Sequence, residues 1–184
     1  KIVSVPGDRA GPCISRLAGI DSDGEGLHTL SRVAAFVHRK VEVIAMSASS
    51  QSVAEALVQR YYDAFNAADV PEMLACLSED VAHDVNQGPR RLGKALFGEF
   101  CAHMSRCYRE QLSDIVIMAS ADGRRAAAEF TVSGTYLADD EGLPPATGQT
   151  YQLPAGTFLD IADGKISRVT TYYNLEDWIA PVTG

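Results

Sequence analysis

Apolar residues return along this chain at two different periods, and the change from one to the other divides the chain after residue 50 into helices followed by strands. Val53, Leu57, Tyr61 and Phe65 recur every four residues behind Ser52-x-x-Glu55, a capping-box pattern, which predicts a helix ending near Asn66-Ala-Ala-Asp69. Pro71, with Asp69 and Val70 before it, opens a short second helix that carries Met73, Leu74 and Leu77. Residues 80–87 read as a short strand, and Gly93 to Cys107 as a third helix with Leu96, Phe97, Phe100 and Met104 inward. Beyond this the period is two: Ile115 to Met118, Ala126 to Leu137, Thr150 to Ile161 and Ile166 to Asn174 alternate or carry β-branched residues, with turns at Asp122-Gly123 and Asp163-Gly164. Helices first and an antiparallel meander afterwards define an α+β fold, in which a curved sheet wrapped around the helices encloses a pocket. Gly134 and Gly156, inside strands, fit bulges that bend such a sheet.

Residues 1–45 lack this order. Glycine and proline are scattered through them among charges, and no period is sustained until the short stretch Leu30 to Ile44, so they read as a poorly structured N-terminal extension ahead of a domain over residues 46–184. Met46, followed by a polar lead-in and a strong helix, reads as a natural start. Codons for Lys40 to Ile44 can contain a purine-rich ribosome-binding sequence, which makes the extension translated upstream sequence; a genuine flexible arm is the alternative.

Composition, 46% hydrophobic and 22% charged, is that of a soluble globular protein and excludes collagen-like, disordered and disulfide-scaffold classes. The net charge is −8. Residues 1–45 hold six basic and five acidic side chains, so the acidity belongs wholly to the domain. No basic patch overrides it, Arg90, Arg91 and Lys94 being the densest cluster, and nucleic acid is not an expected partner. Cys13, Cys76, Cys101 and Cys107 fit neither a CxxC pair nor a Cys/His zinc spacing and read as reduced thiols. The longest apolar run falls far short of the ~20 residues of a membrane span, and no signal-peptide pattern occurs. The expectation is a cytoplasmic protein without metal or cofactor.

Three stretches resemble the ketosteroid-isomerase-like branch of the NTF2-like (SnoaL-like) superfamily. Val58-Gln-Arg-Tyr61 with Asn66-Ala-Ala-Asp69 is similar to the steroid isomerase's first helix. Leu77-Ser-Glu-Asp80, followed by a polar strand and Gly93, is similar to its next segment, and Phe130-Thr-Val-Ser133 with Tyr136 to its third strand. His-Asp-Val-Asn-Gln-Gly at 83–88 and Tyr-Tyr-Asn at 172–174 resemble isomerase-related bacterial proteins. The resemblance spans roughly residues 50–178 and implies a cone-shaped α+β fold around an apolar pocket.

It also implies chemistry. The isomerase reaction needs a carboxylate to move a proton between carbons and hydrogen-bond donors to hold the enolate oxygen. Tyr61 falls on the family's donor tyrosine without a gap. Val85 falls on its catalytic aspartate in ungapped register, and Asp84 reaches that place if one residue is deleted before Gly93. Strand parity then offers two arrangements: Asp84 and Asn86 face the pocket, or His83 and Val85 do. Asp84 is the expected base, with His83 the alternative. The family's second donor falls on Gly156, flanked by Ala155 and Thr157, which cannot act as a protonated carboxyl; Tyr173, ahead of Tyr151, is the candidate replacement. Phe130, Val169, Thr171 and Tyr173 are expected to line the pocket with Asn86, and Tyr172, Asn174 and Trp178 its mouth.

No GxSxG, GxGxxG, P-loop or HExxH pattern supports nucleophilic, nucleotide or metal chemistry. An epoxide-hydrolase-like arrangement would have only Asp84, Glu129 and Arg109 to draw on. The expectation is therefore a ketosteroid isomerase-related protein, isomerase or cyclase-like, acting on a small apolar carbonyl compound as a homodimer through the sheet. A non-catalytic ligand-binding or interaction module of the same fold is the alternative.

Overall fold

The computed structural model describes residues 50–86 and 88–183, so the expectations for residues 1–45 lie outside the described residues. Helix α1 (50–66) is already helical two residues ahead of Ser52, and Gln51 Nε2 donates to Glu55 Oε1 at 2.9 Å, so the capping-box pattern does not mark the helix start. Its buried stripe contains Ala54, Val58, Tyr61 and Tyr62, whereas Val53 is exposed. At 3.6 residues per turn a strict four-residue series drifts around the helix, so Val53 leaves the face that Tyr61 occupies. Helix α2 (Val70–Ala75) carries Pro71 in its first turn and is capped by Asp69, whose Oδ1 accepts from Glu72 N at 3.0 Å. Helix α3 (Lys94–Cys107) follows Gly93, whose φ of 94° suits glycine.

The strands are β1 (Leu77–Val85), β2 (Arg91–Leu92), β3 (Tyr108–Ala119), β4 (Arg125–Tyr136), β5 (Thr150–Ala162) and β6 (Lys165–Tyr173). They form one sheet in the order β2-β1-β6-β5-β4-β3. β3 to β6 make the expected antiparallel meander, but β1 joins β6 in parallel, so the sheet is mixed at that edge. The Asp163-Gly164 turn has φ of 50° and 70°, the doubly positive pair of a tight type I′ hairpin.

Register shifts fall between Leu77 and Ala82 of β1, between Ser113 and Val116 of β3, where Asp114 has φ 55°, and between Asp160 and Ile161 of β5. Neither predicted glycine is a bulge: Gly134 pairs with Tyr151, and Gly156 with Tyr172, in unbroken register. Two features lie beyond the sequence reading. β3 begins at Tyr108, directly out of α3, and a C-terminal helix α4 (Leu175–Thr183) follows β6.

Val58, Tyr61, Phe97, Leu159, Ile166 and Val169 belong to one buried cluster between the helices and the inner face of the sheet. Tyr108, Tyr136, Tyr151, Trp178 and Val182 form a second under α4. Asn66 fixes the end of α1 to β3, its Nδ2 donating to Leu112 O at 3.0 Å and its Oδ1 accepting from Leu112 N at 2.9 Å. This pair of hydrogen bonds holds the helix that carries Tyr61 against the sheet. Among the described residues, no helix is long and apolar enough to cross a membrane.

Candidate functional site

A cavity of about 740 Å³ lies between the helices and the inner face of the sheet. The alternation of β1 decides what faces it. Val81 and His83 are 0% and 3% exposed, and His83 and Val85 line the cavity. Asp84 therefore points the opposite way. It lies in an outward row with Thr170 and Phe158; its Oδ1 and Oδ2 accept from Arg90 Nε and Nη2 at 2.8 Å each, and Thr170 Oγ1 donates to Oδ2 at 3.0 Å. The bond from Arg90 holds its carboxyl below the usual range. Asp84 is thus corrected from pocket base to outer-face ion pair. The apolar partners Val81 and Val85 set the parity.

Asn86 is corrected with it. At φ 42° its N donates to Thr171 O and its Oδ1 accepts from Tyr173 N, both at 3.0 Å, so it straps the end of β1 to β6 and is not on the cavity wall. Tyr61, His83, Phe130, Val169, Thr171, Tyr173 and Trp178 line the cavity, as does Tyr151, whereas Asn174 is not on its wall and Tyr172 is corrected from the mouth to the outer face of the sheet, against Phe158.

His83 sits between two rings of α3, with centroids 4.3 Å from Phe97 and 4.6 Å from Phe100. Burial first, and then the positive Arg91, push its pKa down to about 4, so the imidazole is neutral near pH 7. Its Nδ1 is buried and has no hydrogen-bond partner among the described residues. Arg91, paired with His83 across β1 and β2, places its guanidinium 5.1 Å from the Phe100 centroid and lines the cavity. The Arg90-Arg91 pair is thus split by strand alternation, one arginine to each face.

Tyr61 and Tyr62 meet edge to face at 5.1 Å. Tyr62 Oη and Thr157 Oγ1 hydrogen-bond each other, which occupies the inward side chain nearest the place of the family's missing acid. No hydrogen bond to the Tyr61 hydroxyl is found among the described residues. Burial raises the Tyr61 pKa well above the usual range, so the hydroxyl keeps its proton near neutral pH.

At the other end of the cavity, Glu110 accepts from Tyr151 Oη at 2.5 Å, and Tyr173 lies close enough for Glu110 to raise its pKa further above that set by burial. At the mouth, His103 Nε2 lies 3.0 Å from Asp140 Oδ1, and Tyr108 Oη donates to Asp140 Oδ2 at 2.8 Å. His103, Cys107 and Asp140 bring one possible metal-ligand atom each within 4.8 Å of one another. Protein groups already engage them: Arg106 Nη2 lies 2.8 Å from His103 Nδ1, consistent with an Nε2–H that donates to Asp140. Arg91, Glu110, His103 and Asp140 all escaped the sequence reading as cavity residues.

Inner sheet, covering helices and pocket together are the NTF2-like architecture. A solved NTF2-like protein of unknown function from Burkholderia pseudomallei K96243 shares the fold at 18% identity and TM-score 0.62, over 72% of this chain and 98% of that one. The SnoaL-like domain family matches residues 58–169, and this chain belongs to that family. A solved protein from Pseudomonas putida KT2440, described as a candidate polyketide cyclase, is 66% identical at TM-score 0.69, with 70% of this chain and 97% of that one covered. A second so described, from Xanthomonas campestris pv. campestris, is 56% identical at TM-score 0.71, covering 72% and 98%. No curated protein matches the chain.

Proposed function

We propose that this protein catalyses proton transfer, of isomerase or cyclase type, on a small apolar carbonyl compound, with His83 as the base. The observation that carries this reading is a buried imidazole, held neutral by its burial, on a cavity wall shared with the Tyr61 hydroxyl and the Arg91 guanidinium. The neutral ring takes a proton from the carbon beside a carbonyl. The developing enolate oxygen is met by a donor that does not itself ionise, Tyr61, in the field of Arg91. Protonated His83 is a strong acid in so apolar a place, and it returns the proton readily, either to another carbon or after ring closure. The candidate cyclase description of relatives at 66% and 56% identity supports the second course.

The test is the affinity of a phenolate, which mimics the enolate. Tyr61→Phe is expected to weaken binding by about 1.5–3 kcal/mol, the scale of a hydrogen bond to a charged group, with little change in stability. Unchanged affinity with a large loss of stability would make Tyr61 core structure and leave a binding module as the better reading.

The outer face of the sheet supports a homodimer. Val116, Met118, Phe158 and Tyr172 are about half exposed there, and the Phe158 and Tyr172 rings meet edge to face at 6.1 Å. Asp160 between them and β3 is neutralised by Arg125 and Arg168, each at 2.9 Å. An apolar patch with paired charges suits a second copy of itself. Sedimentation is expected to give twice the monomer mass, and Phe158→Glu, which sets like charges against one another across a twofold axis, a monomer.

A further inference from the structure

Glu110, Gly134 and Tyr151 stand side by side on three adjacent strands: Glu110 of β3 pairs with Gly134 of β4, which pairs with Tyr151 of β5. A Cβ on Gly134 would lie 2.2 Å from Tyr151 Cζ and 2.4 Å from its Oη. The Tyr151 ring therefore lies across the glycine, in a notch that no other residue leaves open, and reaches Glu110 on the far side. Trp178 of α4 packs edge-on against that ring at 5.8 Å and keeps it there. Gly134 thus serves to pass one side chain over the sheet.

What this device holds in place is a carboxyl on the cavity wall. Among the described residues, Tyr151 is its one hydrogen-bond partner, bonded to Oε1 and leaving Oε2. Burial pushes the Glu110 pKa up, and the Tyr151 bond opposes that shift. The next row along the sheet toward Tyr61, Leu112, Val132 and Leu153, is wholly apolar. The cavity thus has two polar ends separated by an apolar waist. Asp140, whose charge reaches Tyr173 as that of Glu110 does, adds a second carboxylate near this end and makes it unfavourable to an anion.

We infer that Glu110 is a specificity residue, Oε2 accepting a hydrogen bond from a hydroxyl or enol at the end of the substrate remote from the reacting carbonyl, with Tyr151 and the Gly134 notch positioning it. Only the identity of the other end rests on the proton-transfer reading. The ligand class is then an apolar compound with a carbonyl at one end and a hydroxyl donor at the other.

Three probes with a common 4-butylphenyl body decide it: 4-butylphenol, 4-butylanisole and 4-butylbenzoate, titrated against the emission of Trp178, the single tryptophan of the chain. The phenol is expected to bind about tenfold tighter than the anisole, with the benzoate weakest. Glu110→Leu should reduce that ratio to about one. Should this variant not fold, the near-isosteric Glu110→Gln, a neutral and weaker acceptor, should lower it several-fold. Gly134→Ala, which displaces Tyr151, should lower it too. A ratio unaltered in Glu110→Gln, or a benzoate that binds best, overturns the inference. So does a ratio lost in Tyr61→Phe and kept in Glu110→Gln, which puts the phenol at the other end and leaves the proton-transfer reading standing. A ratio that depends on Glu110 in a protein with no enolising activity supports the inference and sinks that reading alone.

Discussion

His83→Gln is expected to lower enolisation by a factor of about 10² to 10⁴, the usual contribution of a positioned general base. Hydrogen–deuterium exchange at the α-carbon of an apolar ketone, followed by NMR, measures it. Glutamine fills much of the same space between Phe97 and Phe100 and cannot accept a proton, so the loss would be chemical rather than structural. Asp84→Asn is the necessary companion. Because Asp84 is bound to Arg90 and Thr170 on the outer face, its substitution should leave exchange within about twofold, apart from any effect on assembly. If Asp84→Asn abolishes exchange and His83→Gln does not, the assignment of the base is wrong.

Acidification should destabilise the protein through the same side chain. The folded pKa of His83, about 4, lies below the ordinary 6.5, so the unfolded chain takes up the proton first as pH falls. The stability that comes from keeping this imidazole neutral is present in full above pH 6.5 and is lost on descent to pH 4. The difference amounts to about 3 kcal/mol. Carboxylates held low by arginines, Asp84 and Asp160 among them, lose stability at still lower pH, and Glu110, held high, gains. Urea melts of wild type and His83→Gln at pH 7 and pH 4.5 separate these contributions. The wild type should lose more than the variant by 2 to 3 kcal/mol, and equal losses would refute the buried neutral imidazole.

Much of this molecule is legible in its sequence because most of its elements bury one apolar face. The helices around Tyr61 and Phe97, and the strands from Ala126 to Tyr173, could be read from period alone. Legibility fails where the wall of the cavity is polar. Tyr108 to Asp114 alternates Arg109, Glu110 and Gln111 with few apolar positions, so the first half of β3 carried no period, and Glu110 was missed with it. Parity in β1 was a harder case. Val81 and Val85 mark the inner face, but His83 between them is as polar as Asp84, and resemblance to a family with an aspartate there outweighed the alternation. The C-terminal helix was hidden for another reason: Pro181 lies inside it, and Trp178, expected only at the pocket mouth, is the indole that packs it against Tyr108, Tyr136 and Tyr151.

Strand β1 carries its chemistry and its outer surface on consecutive residues, His83 inward and Asp84 outward. Insertion or deletion of a single residue between Val81 and His83, with Val81 kept inward, would turn both over at once, putting a carboxylate between Phe97 and Phe100 and an imidazole opposite Arg90. Length variation in this family should accordingly be confined, within that strand, to changes of two residues, and single-residue length changes should collect instead in the turn at Gly88 and Pro89, ahead of β2.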